Sequence, residues 1–128
     1  MRKGEAGMNR KFMEMIKLLN IYLNHFPKFE KYALANNIRN TAYELYDLIT
    51  ECNKRYFKKT TITNLDIVHQ KLRMQIYLAN ELGYFKYKKR KKEESNPEQK
   101  YMAIERHIDE LGRMIGAWIK KEKAEGNL

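Results

Sequence analysis

Apolar residues recur along this chain at steps of three and four, and they do so in four separate segments. Phe12, Ile16, Leu19, Leu23 and Phe26 follow steps of 4, 3, 4 and 3. Residues spaced that way share one face of an α-helix, so the pattern selects helix over strand. Met8, Met15, Leu18 and Tyr22 widen this first stripe, and the spacing predicts a helix over residues 9–25. Leu34, Ile38, Ala42, Leu45, Ile49, Cys52 and Tyr56 form the second stripe, predicting a helix over residues 28–57. At 1.5 Å per residue it would be roughly 45 Å long. Leu65, Val68, Leu72, Ile76, Ala79 and Leu82 form the third. Thr63 or Asn64 is its expected N-cap, Asp66 suits the positive end of the helix dipole, and the helix should fray after Gly83. Residues 58–62 read as a loop. Ile104, Ile108, Leu111, Ile115 and Trp118 form the fourth stripe, over residues 97–123.

Punctuation agrees with the periodicity. The chain has two prolines, Pro27 and Pro97, and each stands where a helix should begin, a position that tolerates the missing N–H. Asn96-Pro97-Glu98 reads as cap, first-turn proline and acidic first turn, and Lys120, Lys121 and Lys123 suit the negative pole at the other end. There is no clean period-2 alternation and no internal repeat. The expected architecture is therefore all-α: an antiparallel up-down-up-down four-helix bundle. One domain is expected over residues 9–124, with a disordered lead-in at 1–8 and a frayed tail at 125–128. Tyr43, Tyr46, Tyr77, Tyr84, Phe85, Tyr101 and Met114 lie off the main stripes, more than a four-helix core requires. They point to a second buried surface, and hence to self-association or a protein partner.

Charge is the strongest compositional signal. Lys and Arg total 26 against 16 Asp and Glu, a formal net charge of +10 and a pI near 9.6. Such a surface attracts polyanions through counterion release. The densest stretch is Lys86, Lys88, Lys89, Arg90, Lys91 and Lys92, with Tyr87 among them. It reads either as a solvated loop or as a phosphate-tracking segment, since flexible lysines position a nucleic acid rather than read its bases. Tyr84, Phe85 and Tyr87 could stack on unpaired bases, while Tyr84 and Phe85 also suit the closure of the core.

Catalytic and metal-binding patterns are lacking in the sequence. A di-iron bundle needs carboxylates on four helices with paired Glu-x-x-His motifs. Here only Asp66-x-x-His69 comes near, and His69 is expected to cap a helix or face solvent. His25 falls at a helix end and His107 on a polar face. There is no Cys-x-x-Cys, phosphate-binding glycine loop or nucleophile elbow. Cys52, the single cysteine, reads as a buried apolar residue in a reducing compartment. No apolar run reaches the ~18–20 residues of a membrane span, and the first residues lack the apolar core of a signal peptide. The expectation is a cytoplasmic, non-enzymatic protein without metal, cofactor or membrane partner.

One segment stands apart. Gly112-Arg113-Met114-Ile115-Gly116-Ala117-Trp118-Ile119 holds the only tryptophan and two glycines four residues apart on one helical face. Each costs about 1 kcal/mol against alanine inside a helix, so the pair suggests a close backbone approach, with Trp118 packed beside it.

Two stretches carry a resemblance to a known family. Phe26-Pro27-Lys28-Phe29-Glu30-Lys31-Tyr32-Ala33-Leu34, followed by Asn37-Ile38-Arg39, resembles the signature of four-helix-bundle proteins first found in ribosomal-RNA intervening sequences. Glu110-Leu111 and the Gly112–Ile119 segment resemble the last helix of that family's retroelement branch, Avd, the accessory variability determinant of diversity-generating retroelements. The resemblance spans residues 9–123. It implies a small basic bundle that assembles as a pentameric barrel. Such a protein is not itself catalytic, and associates with the element's reverse transcriptase and template RNA, or cDNA, in mutagenic retrohoming. On that reading Arg39, Lys58, Lys59, Arg73, Lys86, Lys88, Lys89, Arg90, Lys91 and Lys92 become candidate nucleic-acid or polymerase contacts. Gly112, Gly116 and Trp118 become helix-packing or oligomer contacts. The alternative is a stand-alone bundle of the intervening-sequence branch with an RNA-binding or structural role.

Overall fold

The computed structural model describes residues 3–88 and 96–128. Four helices carry the fold: α1 (Lys3–Asn24), α2 (Leu34–Lys54), α3 (Lys59–Glu81) and α4 (Pro97–Ala124). Two 3₁₀ turns, Lys28–Glu30 and Tyr84–Lys86, lie in the first and third connections, and no strand occurs among the described residues.

Contacts between helices set their directions. Phe12 meets Tyr46 with ring centroids 5.0 Å apart, while Arg39 reaches Asn20 and Asn24, so α1 and α2 run antiparallel. The Lys11–Glu110 ion pair at 2.7 Å and the Lys100 ammonium 5.9 Å from the Tyr22 ring centroid do the same for α1 and α4. His69 with Ile108, and Phe85 just beyond α3 with Tyr101, show that α3 and α4 are also antiparallel. The four stripes meet in one core. Met15, Leu19, Ile38, Leu45, Leu65, Leu72, Ile104, Ile108, Leu111 and Ile115 are all essentially inaccessible. Burying each such side chain contributes about 1.5–3 kcal/mol, which is why the stripes dictate the architecture.

Helix boundaries depart from the sequence reading wherever a distant group intervenes. The lead-in expected to be disordered is helical from Lys3, because Met8 extends the stripe one turn upstream of Phe12 and is buried. The second helix starts at Leu34 rather than residue 28. After extended Pro27 (φ −53°, ψ 143°) the chain makes a 3₁₀ turn, and the Glu30 carboxylate accepts the Leu34 amide at 2.9 Å, capping α2 from outside. It stops at Lys54 rather than 57, with Arg55 extended. Lys58 Nζ then donates to the Cys52 carbonyl at 2.7 Å and to the Arg55 carbonyl, satisfying groups the helix end leaves open. Tyr56, placed on the second stripe by its spacing, is therefore outside the helix and exposed.

The third helix begins at Lys59, within the expected loop, because Thr61 and Ile62 are buried and pull the first turn onto the core. Thr63 and Asn64 are exposed helical residues, not caps; the Thr63 hydroxyl donates to the Lys59 carbonyl at 2.7 Å. At its end Gly83 adopts φ 77°, a left-handed conformation suited to glycine, and turns the chain into the second 3₁₀ turn. The fourth helix starts as expected: the Asn96 side chain accepts the Glu98 amide at 2.8 Å, with Pro97 behind it. Its tail does not fray. The Gly126 amide bonds the Lys123 carbonyl, the Asn127 amide bonds the Glu122 carbonyl, and Leu128 folds against the core. This pair of bonds is a Schellman motif.

His69 is also corrected. It is buried, not a cap or a surface group, and its Nε2–H donates to the Ile108 carbonyl across the α3–α4 contact at 2.8 Å. Burial pushes its pKa below the ordinary imidazole value; the Ile108 bond opposes this and the neighbouring Arg73 cation adds to it. Between that depressed value and the unfolded value of about 6.5, the unfolded chain binds the extra proton. Folding stability from this group is thus complete above about pH 6.5 and declines as pH falls through the interval. His69→Gln keeps a donor for the Ile108 carbonyl but removes the titration. Its urea stability should fall less than wild type's between about pH 6.5 and 5. Parallel curves for the two proteins would show that His69 is not the titrating group.

Candidate nucleic-acid interface

Both connections that contain 3₁₀ turns lie at one end of the bundle, and aromatic rings tie them together. Phe26 packs edge-on against Tyr84 and Phe85, each at 5.6 Å between centroids, and Phe85 continues to Tyr22 and Tyr101. Tyr84 and Phe85 are buried, so they close the core as expected. The Tyr84 hydroxyl donates to Glu30 Oε1 at 2.8 Å, and this bond raises the phenol's pKa. Lys100 is buried beneath, its Nζ donating to the Tyr87 carbonyl at 3.3 Å.

On this closed floor stands an exposed rim. Phe29 is 71% accessible and Tyr32 84%, with Phe29 edge-on to Tyr84 at 6.1 Å. Lys31 Nζ lies 5.5 Å from the Tyr32 ring centroid, and Lys86 Nζ 5.6 Å from that of Tyr87. Lys28, Lys31, Lys86 and Lys88 are all exposed. Glu30, the carboxylate set among them in sequence, is held by Leu34 and Tyr84. Lys89, Arg90, Lys91 and Lys92 lie outside the described residues.

Other candidates have work within the fold. Arg39 donates through Nε to Asn20 and through a terminal nitrogen to Asn24, joining α2 to α1. Lys58 closes the end of α2. Arg73 pairs with Asp109, joining α3 to α4. Lys59 is exposed. To bind a phosphate, Arg39, Lys58 and Arg73 would have to share or give up an internal contact.

Two features escaped the sequence reading. Lys28 and Lys31, interleaved with Phe29 and Tyr32, entered it only through family resemblance. Their signal was the alternation of cation and ring directly after Pro27. On α4, Arg106, Arg113 and Lys120 recur every seven residues and are exposed, a basic ridge with steps of about 10.5 Å. The exposed side of α2 instead carries Glu44, Asp47 and Glu51, so charge is segregated around the bundle. The outer side of α3 carries Ile67, Met74 and Leu78, with Leu82 just past its end, each about half exposed around an exposed Lys71. Of the off-stripe residues, Tyr46, Tyr101 and Met114 pack partly against the core, whereas Tyr43 and Tyr77 are exposed.

The glycine pair divides. A Cβ on Gly112 would sit 2.7 Å from His69 Cε1 and 3.1 Å from Nε2, so the missing side chain is what admits the buried ring. A Cβ on Gly116 would meet nothing within 4 Å. Trp118 is half-buried rather than fully inward, and its Nε1–H donates to Glu122 at 3.3 Å. Beside Gly112, residues Asp66, His69, Gln70, Arg73, Asp109 and Arg113 line an open cleft of about 390 Å³. Its charges balance, and Arg73 and Asp109 satisfy each other there.

Among the described residues no group of three or more His, Cys, Asp or Glu is placed to hold a metal ion, and no helix is long and apolar enough to cross a membrane. Burial pushes the Cys52 thiol up to about 11, against the nearby Lys58 cation, leaving a poor nucleophile. The fold and its surface define a basic four-helix protein with an aromatic-rimmed end. Its sequence matches the family described as bAvd-like over residues 8–122, and the chain belongs to that family. The family is one of Avd-type accessory proteins, generally non-catalytic and associated with retroelement reverse transcriptases. No curated protein matches the chain.

The two glycines should respond to alanine with opposite sign. Gly112→Ala gains helix propensity of about 1 kcal/mol but must displace a ring held by Ile108, an overpacking cost of about 1–3 kcal/mol. Gly116→Ala keeps the gain without the clash. Urea denaturation should therefore rank Gly116→Ala at or above wild type and Gly112→Ala below it; the reverse order would refute the notch.

Proposed function

We propose that this chain is the non-catalytic accessory subunit of a diversity-generating retroelement. It binds the element's reverse transcriptase and its template RNA, and works as a homopentameric ring in mutagenic retrohoming. Membership of the bAvd-like family is the observation that carries the reading. The surface supports it. Lysines with no acid opposite them suit phosphates, and the fold keeps Lys28, Lys31, Lys86 and Lys88 exposed. The half-exposed apolar stripe on α3 supports self-association, because a stripe of that kind is costly to leave in water.

Co-expression with the reverse transcriptase and template RNA of the same element tests the reading directly. All three components should co-purify. Replacing Lys88, Lys89, Arg90, Lys91 and Lys92 by Gln should weaken RNA retention with the fold intact. It should also flatten the salt dependence, by up to about 0.7 in slope for each phosphate no longer neutralised. An unchanged salt slope would remove that stretch from the RNA-binding surface.

Assembly has its own test. Met74→Glu with Leu78→Glu places charge on the α3 stripe without touching the core. Sedimentation should show the wild-type oligomer replaced by protomers of unchanged helical content. Assembly that survives both changes would place the interface elsewhere.

A further inference from the structure

We infer that the aromatic rim at the end of the bundle, Phe29, Tyr32 and Tyr87 with Lys28, Lys31 and Lys86, is a stacking platform for unpaired nucleotides of a single-stranded RNA. The inference rests on the RNA-binding reading above and specifies which part of an RNA the surface takes and how.

The argument begins with exposure. Phe29 and Tyr32 leave about three quarters or more of their surface in water, although the same chain end buries Phe26, Tyr84 and Phe85. Rings held in that way are open on at least one side. Phe29 is nevertheless held in place. Phe29 rests edge-on against Tyr84, Tyr84 is bonded to Glu30, and Glu30 caps α2. A base that stacks there meets a prearranged surface, and little side-chain freedom is lost on binding.

The charge around the rings points to a nucleic acid rather than to a greasy protein segment. Each described side of the rim has its own cation: Lys31 over Tyr32, and Lys86 over Tyr87. Lys28 opens the same 3₁₀ turn that carries Phe29. The carboxylate within the rim is already used, bonded to an amide and a phenol. The exposed carboxylates on the adjoining helix ends are Glu81 and Glu98. Alternation of rings and lysines is what a single strand requires, because bases stack on π-faces while phosphates follow the cations. A duplex offers no free base faces to such rings.

The opposite end of the bundle also carries two exposed rings, Tyr56 and Phe57, and is the natural control. Those rings meet edge to face at 4.9 Å between centroids, and among the described residues no contact with a buried ring anchors them. Of their neighbouring cations, Arg55 is committed to Glu51 and Lys58 to main-chain carbonyls, while Lys54 and Lys59 are exposed. That end should contribute charge without base stacking.

The test measures affinity of the intact protein for an unstructured oligouridylate of about 12 nucleotides and for an RNA duplex of matching length, over a range of salt. Three double variants are compared: Phe29→Ala with Tyr32→Ala, Phe29→Tyr with Tyr32→Phe, and Tyr56→Ala with Phe57→Ala. The first should weaken single-strand binding at least about tenfold with the salt slope retained, and leave duplex binding within about twofold. The second keeps both rings and should restore affinity; the third should match wild type. Thermal melting of each variant confirms the fold. Wild-type affinity in the first variant would overturn the platform, as would equal weakening for strand and duplex, or loss of reverse-transcriptase co-purification with RNA affinity unchanged. Wild-type protein that retains neither RNA at low salt would instead overturn the RNA-binding reading itself.

Discussion

One carboxylate organises the end of the bundle where the candidate interface lies. Glu30 accepts the first amide of α2 and the hydroxyl of Tyr84, which stands 54 positions later in the chain. The first bond decides where α2 begins. The second ties the connection before α2 to the connection before α4. It adds a polar link to the ring contacts that Phe26 makes with Tyr84 and Phe85 and Phe29 makes with Tyr84, and together these close the core. The same two bonds occupy the negative charge nearest Lys28 and Lys31. Helix start, core closure and surface potential thus meet in a single side chain.

The number of helices and their inward faces were legible because burial is written in the spacing. Ile104, Ile108, Leu111 and Ile115 follow their stripe into the core, with Trp118 at its end half-buried, and Asn96 caps as its neighbours announce. What the spacing does not contain is any group acting across the fold. Glu30 moves the start of α2, Lys58 ends it, and the burial of Thr61 and Ile62 draws α3 forward. His69 stands at core spacing, four after Leu65 and three before Leu72, but its polar ring reads as a surface group until Gly112, on another helix, is seen to make room for it. The interface was legible by halves. The dense lysine run announces itself, while Phe29 and Tyr32 read as helix until the chain is seen to leave the helix there.

Charge is distributed with a purpose that the net value of +10 conceals. Cations collect on the ridge of α4 and around the aromatic end, acids on the outer side of α2, and apolar side chains on α3. Several sequence-level candidates, Arg39 and Arg73 among them, are instead spent on holding helices together. A basic residue is therefore informative here only after its partner is known.

The absence of one methyl group at position 112 has a mechanical meaning. An imidazole seated in that gap and tethered to the carbonyl four residues before it acts as a detent between two rods. Sliding α4 along α3 by even one residue would drive a Cβ into the ring and break the tether. These two helices are consequently keyed to each other at this point along their length.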